Sequence, residues 1–334
     1  MDKIKTRILN PTHLNIKKAA NAILKGELIG MPTETVYGLA ANALDSDAVA
    51  KIFVAKNRPQ DNPLIVHIHK DYNLFQLVKD IPDYASRLLK AFTPGPLTLV
   101  FKSKGNVSPL VSRGLQTIAI RIPDHRIAQK FLKACNVPIA APSANISSRM
   151  SATTAVAVKE ELDGKLPFIL NAGKCKVGIE STVVDVTGKY PVILRPGRIT
   201  KEMIEHVVGI TDEKTTLIAG EKAISPGMKY RHYAPSCPVI LVGLGEENSI
   251  NQKYEIAKSE GKNPVIICMT GQKEFYRNKK IIIVGKTVKA YAKNLYSALR
   301  IAEKHYDYIL MTSVKTDNLG SALMNRLNKI SGKT

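Results

Sequence analysis

Short runs of Val, Ile, Leu and Phe, each of three to six residues, recur along the 334-residue chain and limit its fold more than any other feature. In the first two hundred residues they are Leu28–Pro32, Leu64–Ile68, Leu97–Phe101, Ile118–Ile122, Pro138–Ala141, Phe168–Leu170, Ser181–Asp185 and Val192–Arg195. Branched and aromatic residues fit the pleated surface of a strand, so each run reads as one. Helical spacing is confined to Asn15–Leu24, Ser46–Lys56, Tyr84–Leu89, Ile127–Ala134 and Ala155–Leu162; in the second of these, Val49, Ile52 and Phe53 recur on one face. A purely parallel sheet needs a long crossover between neighbouring strands, and these helices are too few. The expectation is an α/β domain with a mixed, twisted sheet, spanning residues 1–210.

From Thr211 the texture changes. Gly220, Ser225-Pro-Gly227 and Tyr230-Arg-His-Tyr-Ala-Pro235 form a stretch of low periodicity, 211–236, rich in side-chain chemistry, whose length suits a lid or binding loop and equally a plain surface linker. Beyond it, Val239–Val242, Val265–Cys268, Ile281–Val284 and Tyr308–Met311 alternate with helical patterns at Gln252–Ser259, Val288–Glu303 and Leu319–Leu327. That alternation predicts a smaller parallel α/β domain over 237–334. Gly243-Leu-Gly245 reads as a strand-to-helix turn, since no dinucleotide-type fingerprint follows the first strand.

A formal charge of +21 predicts attraction to anionic partners, phosphates and nucleic acids first. The lysines are scattered, however, so a solvated basic surface and a double-stranded RNA-binding module both remain open. No stretch reaches the ~18 apolar residues of a membrane span, and Met1–Arg7 lacks the apolar core of a secretory signal; the expectation is cytoplasmic, with no membrane contact. Cys135, Cys175, Cys237 and Cys268 are too far apart for a structural zinc site and read as buried or half-buried thiols, and no metal-ligating cluster is expected.

Several polar residues stand against these apolar segments. Lys56 and Arg58 share a face if the helix ends just before them, and two cations there suit a triphosphate or carboxylate as well as a plain helix terminus. In Thr117–Ile122, Thr117, Ala119 and Arg121 alternate with three isoleucines, so Arg121 is either a wet surface arginine or a strand-mounted clamp for a carboxylate. Ser143 and Asn145, after a strand, and Ser181 in Glu180-Ser-Thr182 are hydrogen-bonding groups for a ligand or ordinary turn residues; Ser181 has no assignable base to make it a nucleophile. His67 and His69 share a strand face, and His67 is better suited to touching a substrate than to holding zinc.

Five segments in order carry a resemblance: Met31-Pro-Thr-Glu-Thr-Val-Tyr-Gly-Leu-Ala40, Lys56 with Arg58, Ser143 with Asn145, Ile179-Glu-Ser-Thr-Val-Val-Asp185 with Leu194-Arg-Pro-Gly197, and Ser225–Pro235. Together they resemble the long form of the L-threonylcarbamoyladenylate synthases, a YrdC-like catalytic domain joined to a smaller Rossmann-like C-terminal domain. The resemblance implies a nucleotidyltransferase that combines L-threonine, bicarbonate or CO2, and ATP, with Mg2+ held mainly by the ATP phosphates. The product passes to a tRNA threonylcarbamoyl-transferase complex acting on adenosine 37; contact with tRNA or double-stranded RNA is a further expectation. By similarity, Lys56 and Arg58 are catalytic, while Thr35, His67, Arg121, Ala141 and Ser181 surround the threonine. Arg58, Asn62, Thr117, Ser143, Asn145, Ser151, Arg195 and Tyr230 contact the nucleotide, and the 211–236 linker folds over the site.

Overall fold

A computed structural model of the protein describes residues 5–59, 61–214 and 233–332. The chain divides into two compact units, one of Met1–Ser147, Ser151–Lys176 and Glu180–Tyr230, the other of Ser148–Met150, Val177–Ile179 and Arg231–Thr334.

Among the described residues the first unit is built on eleven strands: β1 (Arg7–Leu9), β2 (Ile29–Met31), β3 (Gly38–Asn42), β4 (Ile65–His67), β5 (Leu97–Lys102), β6 (Thr117–Arg121), β7 (Ile139–Ala140), β8 (Phe168–Leu170), β9 (Thr182–Asp185), β10 (Val192–Arg195) and β11 (Asp212–Glu213). They form one sheet in the order β1-β8-β2-β3-β7-β4-β6-β5-β9-β10-β11. Pairing is mixed, as the scarcity of crossovers predicts: β4/β6 and β5/β9 are parallel, β5/β6, β4/β7 and β2/β3 antiparallel. Its helices are α1 (His13–Leu24), α2 (Ser46–Lys56), α3 (Asp83–Phe92), α4 (Pro109–Ser112), α5 (Arg126–Cys135), α6 (Ala155–Leu162) and α7 (Lys201–Val208). Asp45 caps α2 by accepting the amides of Asp47 and Ala48, and Asn57 ends it in the left-handed conformation.

Strand alternation divides the centre of this sheet. Val66, Leu99 and Ile120 point into the large core with Val49, Ile52 and Val158 of α2 and α6. Their neighbours Ile65, Val100 and Ala119 lie on the opposite face, in a small apolar cluster with Val183 and Leu194. One step along on that second face, the register sets His67, Arg121 and Thr98 side by side. A polar row is thus mounted on an apolar floor.

The second unit holds β12 (Val239–Val242), β13 (Pro264–Cys268), β14 (Ile281–Ile283) and β15 (Tyr308–Thr312), all parallel in the order β12-β15-β13-β14, with α8 (Glu247–Ser259), α9 (Val288–His305) and α10 (Leu319–Ser331). Gly243 lies in a strand-to-helix turn: its amide donates to the Glu246 carboxylate at 3.3 Å, and a Cβ there would lie 2.6 Å from that carboxylate. An acidic side chain occupies the place where a dinucleotide fingerprint would receive a phosphate.

Candidate active site

The polar row is a buried, bonded cluster. Arg121 Nη2 donates to Glu34 Oε1 at 2.7 Å, both side chains being 5% exposed. Thr98 Oγ1 and Ser181 Oγ are 2.8 Å apart, and Arg195 donates to Ser181 twice, Nε to its carbonyl at 3.0 Å and Nη2 to its hydroxyl at 3.1 Å. His67 is buried beside Arg121, and burial first, then the Arg121 charge, pushes it down to about 3, so its imidazole is neutral at physiological pH. His69 lies two residues past His67, the last residue of β4, and is edge-on to Tyr72. Thr33 Oγ1 donates to Val36 O at 2.6 Å, so the 2.9 Å contact between the Thr33 and Thr35 hydroxyls is a donation by Thr35. That fixes the Thr35 rotor next to Glu34. Ala141 extends the row through its backbone, its amide donating to Ile65 O at 3.0 Å.

A second group surrounds the end of α2. Lys56 belongs to the last helical turn, so the condition under which it would share a face with Arg58 is not met. The residue is 1% exposed, and its amine donates to the carbonyls of Ser143 and Asn145, both at 2.5 Å. Burial, and next the charge of Arg58, hold Lys56 well below the ordinary lysine value. Lys56 therefore braces the 143–145 loop. Arg58, half-buried, donates Nη2 to Pro63 O at 3.0 Å and reaches Asn62 O at 3.3 Å, which orders the turn carrying the buried Asn62. Ser143 pairs with Gly38 in an isolated bridge, and Thr117 opens β6, half-buried. Ser151, fully buried, donates to Glu180 Oε1 at 2.6 Å. Tyr230 and residues 215–232 of the linker lie outside the described residues.

Residues 21–197 match the family model described as telomere recombination, and residues 199–332 the one described as the C-terminal domain of threonylcarbamoyl-AMP synthase. The chain is 45% identical to the threonylcarbamoyl-AMP synthase of Pyrococcus abyssi over 95% of its own length and 94% of that protein's. The chain belongs to the threonylcarbamoyl-AMP synthase family. It is also 42% identical to the Bacillus subtilis synthase over 95% of this chain and 93% of that one. The structure of the P. abyssi protein complexed with L-threonine superimposes with a TM-score of 0.92 at 43% identity, covering 99% of this chain and 98% of that one.

Within this synthase fold, two carboxylates escaped the residue list drawn from the sequence. Glu34 and Glu180 are each tied to an expected site residue, Arg121 and Ser151, from 87 and 29 positions away. Both sit inside motifs quoted above, and an acidic residue in an otherwise apolar or hydroxyl-rich motif was the available signal. The four cysteines are free; Cys135, Cys175 and Cys268 are buried, and burial pushes each of those thiols up, to about 12, 12 and 11. Cysteine chemistry is thereby disfavoured. Among the described residues no helix is long and apolar enough to cross a membrane.

Proposed function

We infer that this chain joins L-threonine, bicarbonate or CO2, and ATP into threonylcarbamoyl-AMP with release of pyrophosphate, the first step toward N6-threonylcarbamoyladenosine in tRNA. The observation that carries the reading is the buried row of Arg121, His67, Thr98 and Ser181 on one sheet face, in a chain similar over its whole length to a synthase solved with L-threonine. No comparison favours the double-stranded RNA-binding reading.

In this reading Arg121 takes the threonine carboxylate, a bidentate match for a guanidinium held on a strand. Thr35, neutral His67, the Ala141 backbone and Ser181 line the rest of that subsite. A carbamate oxygen then attacks the α-phosphorus in line and pyrophosphate leaves. That reaction needs fixed donors and charge more than a covalent nucleophile. Arg58, Asn62, Thr117, Ser143, Asn145, Ser151 and Arg195 supply the nucleotide contacts, with Tyr230 added from the linker. Lys56 acts by holding the Ser143 and Asn145 carbonyls rather than by touching phosphate. Among the described residues no three His, Cys, Asp or Glu side chains cluster to hold a metal. The residues fit a Mg2+ that arrives on the ATP phosphates and keeps its waters, and that ion supplies charge neutralisation. The product goes to a tRNA threonylcarbamoyl-transferase complex.

Two substitutions test the assignment. Arg121→Ala should raise the threonine KM by about 10- to 100-fold, the loss of one charged hydrogen-bonded contact, with the ATP KM little changed. Arg58→Ala should do the reverse. Unchanged constants in both folded variants would remove these roles.

A further inference from the structure

The Glu34–Arg121 pair is only half used. Glu34 is 4% exposed, and its Oε2 has no hydrogen-bond partner among the described residues. An unpaired buried carboxylate oxygen costs free energy and is retained where something binds it. Arg121 engages Glu34 through Nη2 and approaches the Gly95 carbonyl through Nε at 3.5 Å. A guanidinium and a carboxylate in contact present a cation beside an anion, the complement of an amino-acid zwitterion, whose carboxylate and ammonium flank one carbon. With the substrate carboxylate on Arg121, its ammonium falls to Glu34.

We propose that Glu34 is the residue that binds the threonine ammonium and accepts its proton, releasing the amine for carboxylation. The inference rests on the reading of Arg121 as the carboxylate clamp. Glu34 is buried with Oε2 unpartnered, so that oxygen is the carboxylate atom left to meet the ammonium. The other groups facing it serve less well: His67 and His125 are both shifted downward by burial, and Cys175 is a buried thiol held in its protonated form. One ammonium proton passes to Glu34 Oε2. The nitrogen lone pair forms the N–C bond to CO2 as a C–O π pair withdraws onto oxygen, and the second nitrogen proton leaves to water. The resulting carbamate is the nucleophile of the adenylation step.

Glu34→Gln keeps the shape and removes the negative charge and the base. Forward synthesis should fall about 10²- to 10⁴-fold, the usual span of general-base catalysis. The wild-type to Glu34→Gln ratio of kcat/KM for threonine should then shrink about tenfold per pH unit toward alkaline pH, because solution supplies the free amine; taking the ratio cancels the CO2–bicarbonate equilibrium. ATP formation from threonylcarbamoyl-AMP and pyrophosphate starts after carboxylation and should fall at least about tenfold less than forward synthesis. A pH-independent ratio, or equal loss in both directions, would overturn the proposal. If Glu34→Gln does not fold, Glu34→Asp carries the same test: a shorter carboxylate should slow synthesis more than ATP formation, and equal effects on both would refute the role. A wild-type enzyme that releases no threonine-dependent pyrophosphate would instead fail the proposed function itself.

Discussion

Lys56→Met separates a brace from a phosphate ligand. Methionine fills similar space and deletes the amine that donates to Ser143 O and Asn145 O. Two buried carbonyls lose their donor, each at a cost of about 1–3 kcal/mol, so the loop should lose about 2–6 kcal/mol of local stability. Part of this is offset because the variant no longer desolvates an amine, which places the expectation near the lower end. The Ala144 and Ser147 amides, which donate to Tyr37 O and Lys56 O, report on that loop. Their native-state hydrogen exchange should speed up by about thirtyfold, the equivalent of 2 kcal/mol, while a β5 amide such as Val100 should stay unchanged. The ATP KM should rise with the loosening. Unchanged exchange at both loop amides, combined with a large loss of turnover, would refute the brace and return Lys56 to direct phosphate contact.

Other outcomes follow from the same geometry. His67 is shifted from 6.5 down to about 3, so the unfolded chain binds the proton more readily and stability is lost as pH falls from about 6.5 toward 3; His67→Gln should flatten that acid limb by up to about 4 kcal/mol in urea titrations, and an unaltered limb would contradict the buried neutral imidazole. Lys56, also lowered, gives the same sign in a higher window: wild-type stability should climb relative to Lys56→Met as pH rises toward 10.5, and a falling difference would refute the direction. A Cβ on Gly197 would lie 2.4 Å from the Thr182 amide and 2.7 Å from the Ser181 carbonyl carbon. Gly197→Ala should therefore cost about 1–3 kcal/mol and cut turnover by shifting Ser181; wild-type melting and kinetics would show that the approach is not constrained.

The strands that bury branched residues were legible in the sequence. Phe168–Leu170 and Val192–Arg195 match the structure residue for residue, as do the helices Ser46–Lys56 and Ala155–Leu162. Gly38–Asn42 was not, because its small residues carry no strand signal; it pairs with β2 and β7 through its backbone. Arg7–Leu9 and the helix Lys201–Val208 were likewise missed, the first too short to show alternation. Alternation put Arg121 on the face opposite the isoleucines, yet whether that face was wet depended on Glu34, brought in from β2's distant turn. Lys56 shows the other failure: one residue of helix end decides whether an amine meets solvent or two carbonyls, and helix ends are the least legible part of a sequence.

Pyrophosphate release from ATP and Mg2+ should be measured with L-threonine and bicarbonate each supplied or withheld and the nucleotide product identified by mass. Release is expected only when both are present, with threonylcarbamoyl-AMP as the product. Release indifferent to threonine from a folded, ATP-binding protein would contradict the synthase reaction.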